Sequence, residues 1–265
     1  LSFNLYPCPF ILSKDEVYMR MKAAIVPGFF TMANMFCGYY SVTMAAKGEF
    51  TTAAWLIIAA GVLDVLDGKL ARMVQGSSEF GVQYDSLADV VSFGLAPSVL
   101  GYYAFFQSWG TIGLLLSFMP LVFGSIRLAR FNVRQKGFTK NVFEGVPIPA
   151  AAVAICSYIL INYELWDQLR WPNIFLLIVL VVSFLMITNI RYEVMPNFSL
   201  QSSRKERLKI LAVLVAVVLI LIDPQKTIFP LILIYIFSGP ARAIWLLLNT
   251  KNDLPQVPET KEKRK

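Results

Sequence analysis

The chain has 265 residues, 57% of them apolar and 15% charged, with a mean hydropathy of +0.60. Soluble domains carry about 25% charged residues, so this composition is that of an integral membrane protein. There is no histidine, which excludes a histidine general base, a histidine-bound zinc and a phosphohistidine, and the net charge of +7 does not indicate a nucleic-acid partner until the charges are located.

Residues 1–23 read as an N-terminal cytoplasmic or juxtamembrane arm. The segment Leu1–Tyr18 lacks the basic start and the small-residue cleavage site of a signal peptide. Apolar runs that reach or approach the length needed to cross a hydrocarbon core of about 30 Å follow one another from there. They are Ala24–Ala46, Thr52–Leu66, Ser86–Phe106, Thr111–Ala129, Pro147–Ile161, Pro172–Ile190, Ile210–Ile222 and Thr227–Leu248. The expected fold is therefore an all-α membrane bundle of about eight helices. Residues 24–248 form one transmembrane domain, and 249–265 form a polar, Lys-rich tail suited to lie near anionic lipid. Cys8, Cys37 and Cys156 match no disulfide or metal spacing and read as small buried hydrophobes.

The basic residues give an orientation. Twenty Lys and Arg fall in the arm, the even-numbered loops and the tail, against Lys47, Arg170 and Lys226 in the odd loops. By the positive-inside rule, both termini and every even loop face the cytoplasm.

Acid gathers where the second and third spans meet, in "DVLDGKLARMVQGSSEFGVQYDSLADVVSFG" (Asp64–Gly94). Asp64 and Asp67 are three apart, Asp85 and Asp89 four apart, and each pair shares a helix face. Between them Gly68, Gly76, Ser77, Ser78 and Gly81 allow a tight turn, so two antiparallel helices would bring four carboxylates together. Such a cluster costs several kcal/mol in mutual repulsion unless cations neutralise it. With no soft or imidazole ligand at hand, the oxygen donors favour Mg²⁺, Mn²⁺ or Ca²⁺. A pair of such ions would suit the clamping of a phosphate under displacement. Acids that merely flank a helix end are ordinary one at a time, but two face-sharing pairs at a membrane level are costly and point to function.

The spacing D-x-x-D-G-x-x-A-R-x₈-G-x₃-D-x₃-D, filled here by Asp64, Asp67, Gly68, Ala71, Arg72, Gly81, Asp85 and Asp89, resembles the signature of the CDP-alcohol phosphotransferases. That resemblance implies a six-helix core, here extended by two. It also implies that Asp64, Asp67, Asp85 and Asp89 hold two divalent cations, Mg²⁺ or Mn²⁺, over the CDP pyrophosphate. Asp89 would double as general base, while Gly68, Arg72, Ser78 and Gly81 match positions that contact CDP. Within the family, "RLARFNV" (Arg127–Val133), "FEGVPIPAAA" (Phe143–Ala152) and "LMITNIRY" (Leu185–Tyr192) look like the membrane-integral bacterial phosphatidylserine synthases. The implied reaction moves a phosphatidyl group from CDP-diacylglycerol to L-serine and releases CMP. The implied setting is the cytoplasmic face of the inner membrane, among membrane lipids, and the family is generally dimeric. Two departures stand out. The family's P-N in the first helix is here Pro27-Gly28, and its G-L-P-S-P is here Gly145-Val146-Pro147-Ile148-Pro149.

Other polar residues carry alternatives. Thr31 and Asn34, three apart on an otherwise apolar helix, could hydrogen-bond the nucleotide or a neighbouring helix. Arg127 and Arg130 share a face at the end of the fourth span. They could bind the lipid phosphate or the serine carboxylate, or simply anchor the loop. The same chemistry with another acceptor or donor would give a phosphatidylglycerophosphate, phosphatidylinositol phosphate or archaetidylserine synthase. A phosphorylated acceptor calls for a denser basic pocket than two arginines. A cation transporter, the remote alternative, calls for acids spread over several spans near the midplane, whereas these sit at one level.

Overall fold

The structure, a computed structural model, describes residues 14–73, 79–135, 143–192 and 204–250. Helices α1 (Lys14–Ala46) and α2 (Phe50–Met73) make the first hairpin. α1 begins within the stretch read as an arm, because Lys14, Asp15 and Glu16 contain nothing to stop a helix before the apolar run. α3 (Glu79–Asp89) continues without a turn through a π-helical stretch (Val90–Leu95), α4 (Ala96–Gly101), a second π-helical stretch (Tyr102–Phe106) and one 3₁₀ turn (Gln107–Trp109). π-helical insertions reset which residues face inward and often occur at functional sites. The rod ends at Gly110, whose φ of 60° and ψ of −136° form a conformation that side chains rarely adopt. There the chain turns back as α5 (Gly110–Gln135), which packs along the rod.

α6 (Ile148–Trp166), α7 (Pro172–Ile187), α8 (Arg204–Ile222) and α9 (Pro224–Thr250) complete the bundle. Among the described residues, four helical stretches are long and apolar enough to cross a membrane: Phe50–Leu70, Phe80–Val133, Ile148–Trp166 and Pro224–Leu246. Pro172–Ile187 and Ile210–Ile222 are shorter apolar helices. The chain is a multi-pass membrane protein.

Small residues let the central helices touch. Ala53, Ala54 and Ala60 on α2 and Ala151, Ala152 and Ala154 on α6 are all within 1% of full burial, the pattern expected where packing, and not water exclusion, joins membrane helices. Phe105, Phe106, Tyr158 and Phe175 stack into an aromatic block with ring centroids 4.3–5.9 Å apart. On α8, Leu211, Leu214, Val218 and Leu221 are exposed, as suits a lipid-facing surface.

A short bridge ties four elements together at one end. β1 (Phe143–Glu144) pairs antiparallel with β2 (Arg191–Tyr192), and Gly145 N–H donates to the Ile190 carbonyl at 2.9 Å. Arg130 of α5 donates to the Ile187 carbonyl and to Asn189 Oδ1, both at 2.8 Å. The Tyr192 hydroxyl donates to the Ile236 carbonyl of α9 at 3.0 Å. The ends of α5, α6 and α7 and the middle of α9 are thereby held in one frame.

Candidate active site

The acids sit on α2 and α3, both of which pack against α1. Asp64, Asp85 and Asp89 each offer a carboxylate oxygen, and these three atoms lie within 4.8 Å of one another. The expected meeting of residues from two helices is thus realised for three of the four acids. The fourth, Asp67, is 5% exposed and accepts a hydrogen bond from the Thr31 hydroxyl of α1. It remains within electrostatic reach of Asp64 and Asp85. Its other oxygen, Oδ1, is buried without a partner, as is Oδ1 of Asp89.

α1 is locked against this group at Asn34. The Ser92 hydroxyl, one turn beyond Asp89, donates to the Asn34 carbonyl at 2.9 Å. Gly38 makes the approach possible: a Cβ there would lie 2.7 Å from Ser92 Cα, closer than side-chain carbons ever come. The Asn34 amide is fully buried and faces Asp89, close enough to act on its carboxylate as a side-chain hydrogen-bond donor. Thr31 and Asn34 were open between ligand and helix contacts. Thr31 serves Asp67, whereas the buried Asn34 amide is turned to Asp89.

Arg127 and Arg130 part company. Arg127 is the one buried basic residue among the described residues, 8% exposed, within reach of Asp89 and of Tyr235 on α9, and its Nε has no partner. Arg130 donates instead to the Ile187 carbonyl at the end of α7 and to the Asn189 side chain. Neighbouring Asn132 donates to Ser86 at 2.9 Å, joining α5 to α3. Ile148, where the family pattern has a hydroxyl residue, is 1% exposed. Its side chain packs against the backbone of Gly94 and Gly124, so that position belongs to the core. Gly68 and Gly81 are exposed beside the acids, at the end of α2 and the start of α3. Ser78 and the side chain of Arg72 lie outside the described residues.

Three carboxylates this close repel by several kcal/mol at low effective dielectric, and a single arginine beside Asp89 cannot offset them. Oxygen-only donors, two of them buried and unpaired, fit a hard divalent cation. The group could hold such an ion. Nothing in the sequence distinguished Tyr235 from the other tyrosines; only its placement brings it to the arginine.

Residues 24–179 match the family described as CDP-alcohol phosphatidyltransferase, and the chain belongs to it. A CDP-diacylglycerol–serine O-phosphatidyltransferase of Helicobacter pylori is 36% identical over 86% of this chain and 93% of its own length. An archaetidylserine synthase of Methanothermobacter thermautotrophicus is 37% identical over 63% of this chain and 69% of its own. A solved structure, the Mycobacterium tuberculosis phosphatidylinositol phosphate synthase with CDP-DAG bound, has a TM-score of 0.49 and 16% identity, covering 62% of this chain and 80% of that one.

Proposed function

We propose that the protein transfers the phosphatidyl group of CDP-diacylglycerol to L-serine, forming phosphatidylserine and CMP. The observation that carries the chemistry is the convergence of Asp64, Asp85 and Asp89 within 4.8 Å. The choice of serine is supported by the name of the relative that aligns over 93% of its length.

Asp64, Asp67, Asp85 and Asp89 would hold two divalent cations, Mg²⁺ or Mn²⁺, which when bound neutralise the pyrophosphate and the charge that develops on departing CMP. Asp89, the most enclosed of the converging acids, takes the proton from the serine hydroxyl. The freed oxygen attacks the phosphorus that carries the lipid. The bond from that phosphorus to the bridging oxygen of the pyrophosphate breaks, and its electron pair leaves with CMP. Gly68 and Gly81 allow the nucleotide close to the backbone beside the acids, with Arg72, Ser78 and Asn34 as further contacts to CDP. Thr31 acts on this site through Asp67.

The reading extends to the setting. Residues 24–248 act as one domain of eight spans in the inner membrane, with both termini and the acids at the cytoplasmic face. The charge asymmetry between loops supports this, as do Lys69 and Arg72 beside the acidic end of α2. The expected partner protein is a second copy of the chain. A groove of about 740 Å³ between α3 and α5, lined by exposed Leu87 and Val133 and by the Ser86–Asn132 pair, offers it a seat.

The test is release of CMP by purified protein given CDP-diacylglycerol and a panel of alcohols. Release that requires serine is the expected result. Release driven by glycerol 3-phosphate or an inositol phosphate, with none from serine, overturns the assignment. A second reading, in which the donor carries ether-linked chains, is favoured by the archaetidylserine relative. Comparing ester and ether donors in the same assay decides it.

A further inference from the structure

The family match ends at residue 179, but a polar cluster beside Asp89 draws on a helix beyond it. Arg127, 92% enclosed, keeps its Nε unpartnered. A guanidinium is a planar fork that pairs best with two oxygens of one anion, and leaving a buried donor unused is costly. Asp89 is near, but as the proposed base it must be free to take a proton. The other group close enough to Arg127 to interact with it electrostatically is Tyr235 of α9. Its ring packs on Tyr192 at 5.8 Å, and Tyr192 is itself 4% exposed and bonded to the neighbouring Ile236 carbonyl. Tyr235 is thus placed by the same bridge that joins the ends of α5 and α7.

We infer that Arg127 and Tyr235 form the carboxylate-binding end of the acceptor site, with Tyr235 as a specificity-determining residue contributed by α9. One buried cation with one neutral hydroxyl donor matches a singly charged carboxylate. A phosphomonoester, with close to two charges, would leave one of them unpaired in a buried place. The proposal also gives the acceptor a direction. Its carboxylate lies at Arg127 and Tyr235, and its hydroxyl points at Asp89, which is where a β-hydroxy amino acid carries it. This inference rests on the serine reading above and adds the group by which serine is chosen.

The experiment compares L-serine with serinol, which has the same hydroxyl and amine but no carboxylate, in wild type, Tyr235→Phe and Arg127→Lys. Wild type should favour serine strongly. Tyr235→Phe keeps the ring on Tyr192 and removes the hydroxyl, and should raise KM for serine about tenfold or more while KM for CDP-diacylglycerol stays unchanged. Arg127→Lys keeps the charge and loses the fork, and should collapse the preference for serine over serinol. An unchanged KM for serine in Tyr235→Phe overturns the inference, as does a rise in both KM values together, which would mark a structural role. Should Arg127→Lys not fold, Tyr235→Phe decides alone. If wild type does not use serine at all, the phosphatidylserine reading falls first and takes this inference with it. If wild type requires serine while Tyr235→Phe behaves like wild type, only this inference falls.

Discussion

Ser92 donates its hydroxyl to the main-chain carbonyl of Asn34 at 2.9 Å, and through that bond the first helix is seated one turn from Asp89. The contact joins residues 58 positions apart and depends on Gly38, which lies one helical turn after Asn34 and directly against Ser92. Gly38→Ala should therefore push α1 away from the acids. Overpacking of this kind costs about 1–3 kcal/mol. The expected outcome is a lower melting temperature together with reduced turnover. Ser92→Ala, which removes only the bond, should cost about 1 kcal/mol and leave most activity.

Asp89→Asn is nearly isosteric and cannot accept the serine proton. Loss of a general base lowers rates by roughly 10²–10⁴-fold. CMP release should fall by that much while CDP still binds, measured by equilibrium titration. Normal turnover in this variant would remove Asp89 from the role of base.

Thr31 donates to Asp67 and so orients it. Residues that orient a metal ligand typically change affinity by 10–100-fold. Thr31→Val should thus raise the Mg²⁺ or Mn²⁺ concentration needed for half-maximal activity by roughly that factor, with turnover restored at saturating metal. Chelation should abolish activity in both proteins and readdition should recover it.

Arg130 provides a second test of how the two arginines divide. Its bonds to Ile187 and Asn189 close the end of α7, so Arg130→Ala should cost about 1–2 kcal/mol of stability. KM for serine should not move. A selective rise in that constant would return Arg130 to the substrate site.

At the other end of α6, Lys226 bridges Glu164 and Asp223, each at 2.8 Å. The Lys226 ammonium holds the Asp223 carboxyl below its ordinary value of 3.8. A depressed carboxylate stabilises the fold at neutral pH, and that contribution is lost as pH falls through the folded-state pKa. The melting-temperature difference between wild type and Lys226→Met should accordingly be present at pH 7, shrink in high salt and vanish in strong acid. A difference that persisted at low pH would mean that Lys226 acts by packing alone.

The sequence by itself determined the membrane class, the helical character of each apolar run and the identity of the acids, because these depend on local quantities. Hydropathy over one span, two carboxylates three or four residues apart on a helix face, and a fixed spacing across one turn all survive without knowledge of neighbours. It also determined that any bound cation must be a hard one, since it supplies only oxygen. Tertiary structure alone decided which residues surround those acids. Thr31 reaches Asp67 across 36 positions, and Arg127 comes within electrostatic reach of a tyrosine on α9 while Arg130, three residues on, bonds to the end of α7. Ile148, where the family pattern has Ser, turns into the core. Contacts of that range depend on how helices are rotated and how closely they approach. A single glycine at Gly38, two π-helical insertions and a two-residue bridge set those quantities, and none of them has a periodic trace in the chain.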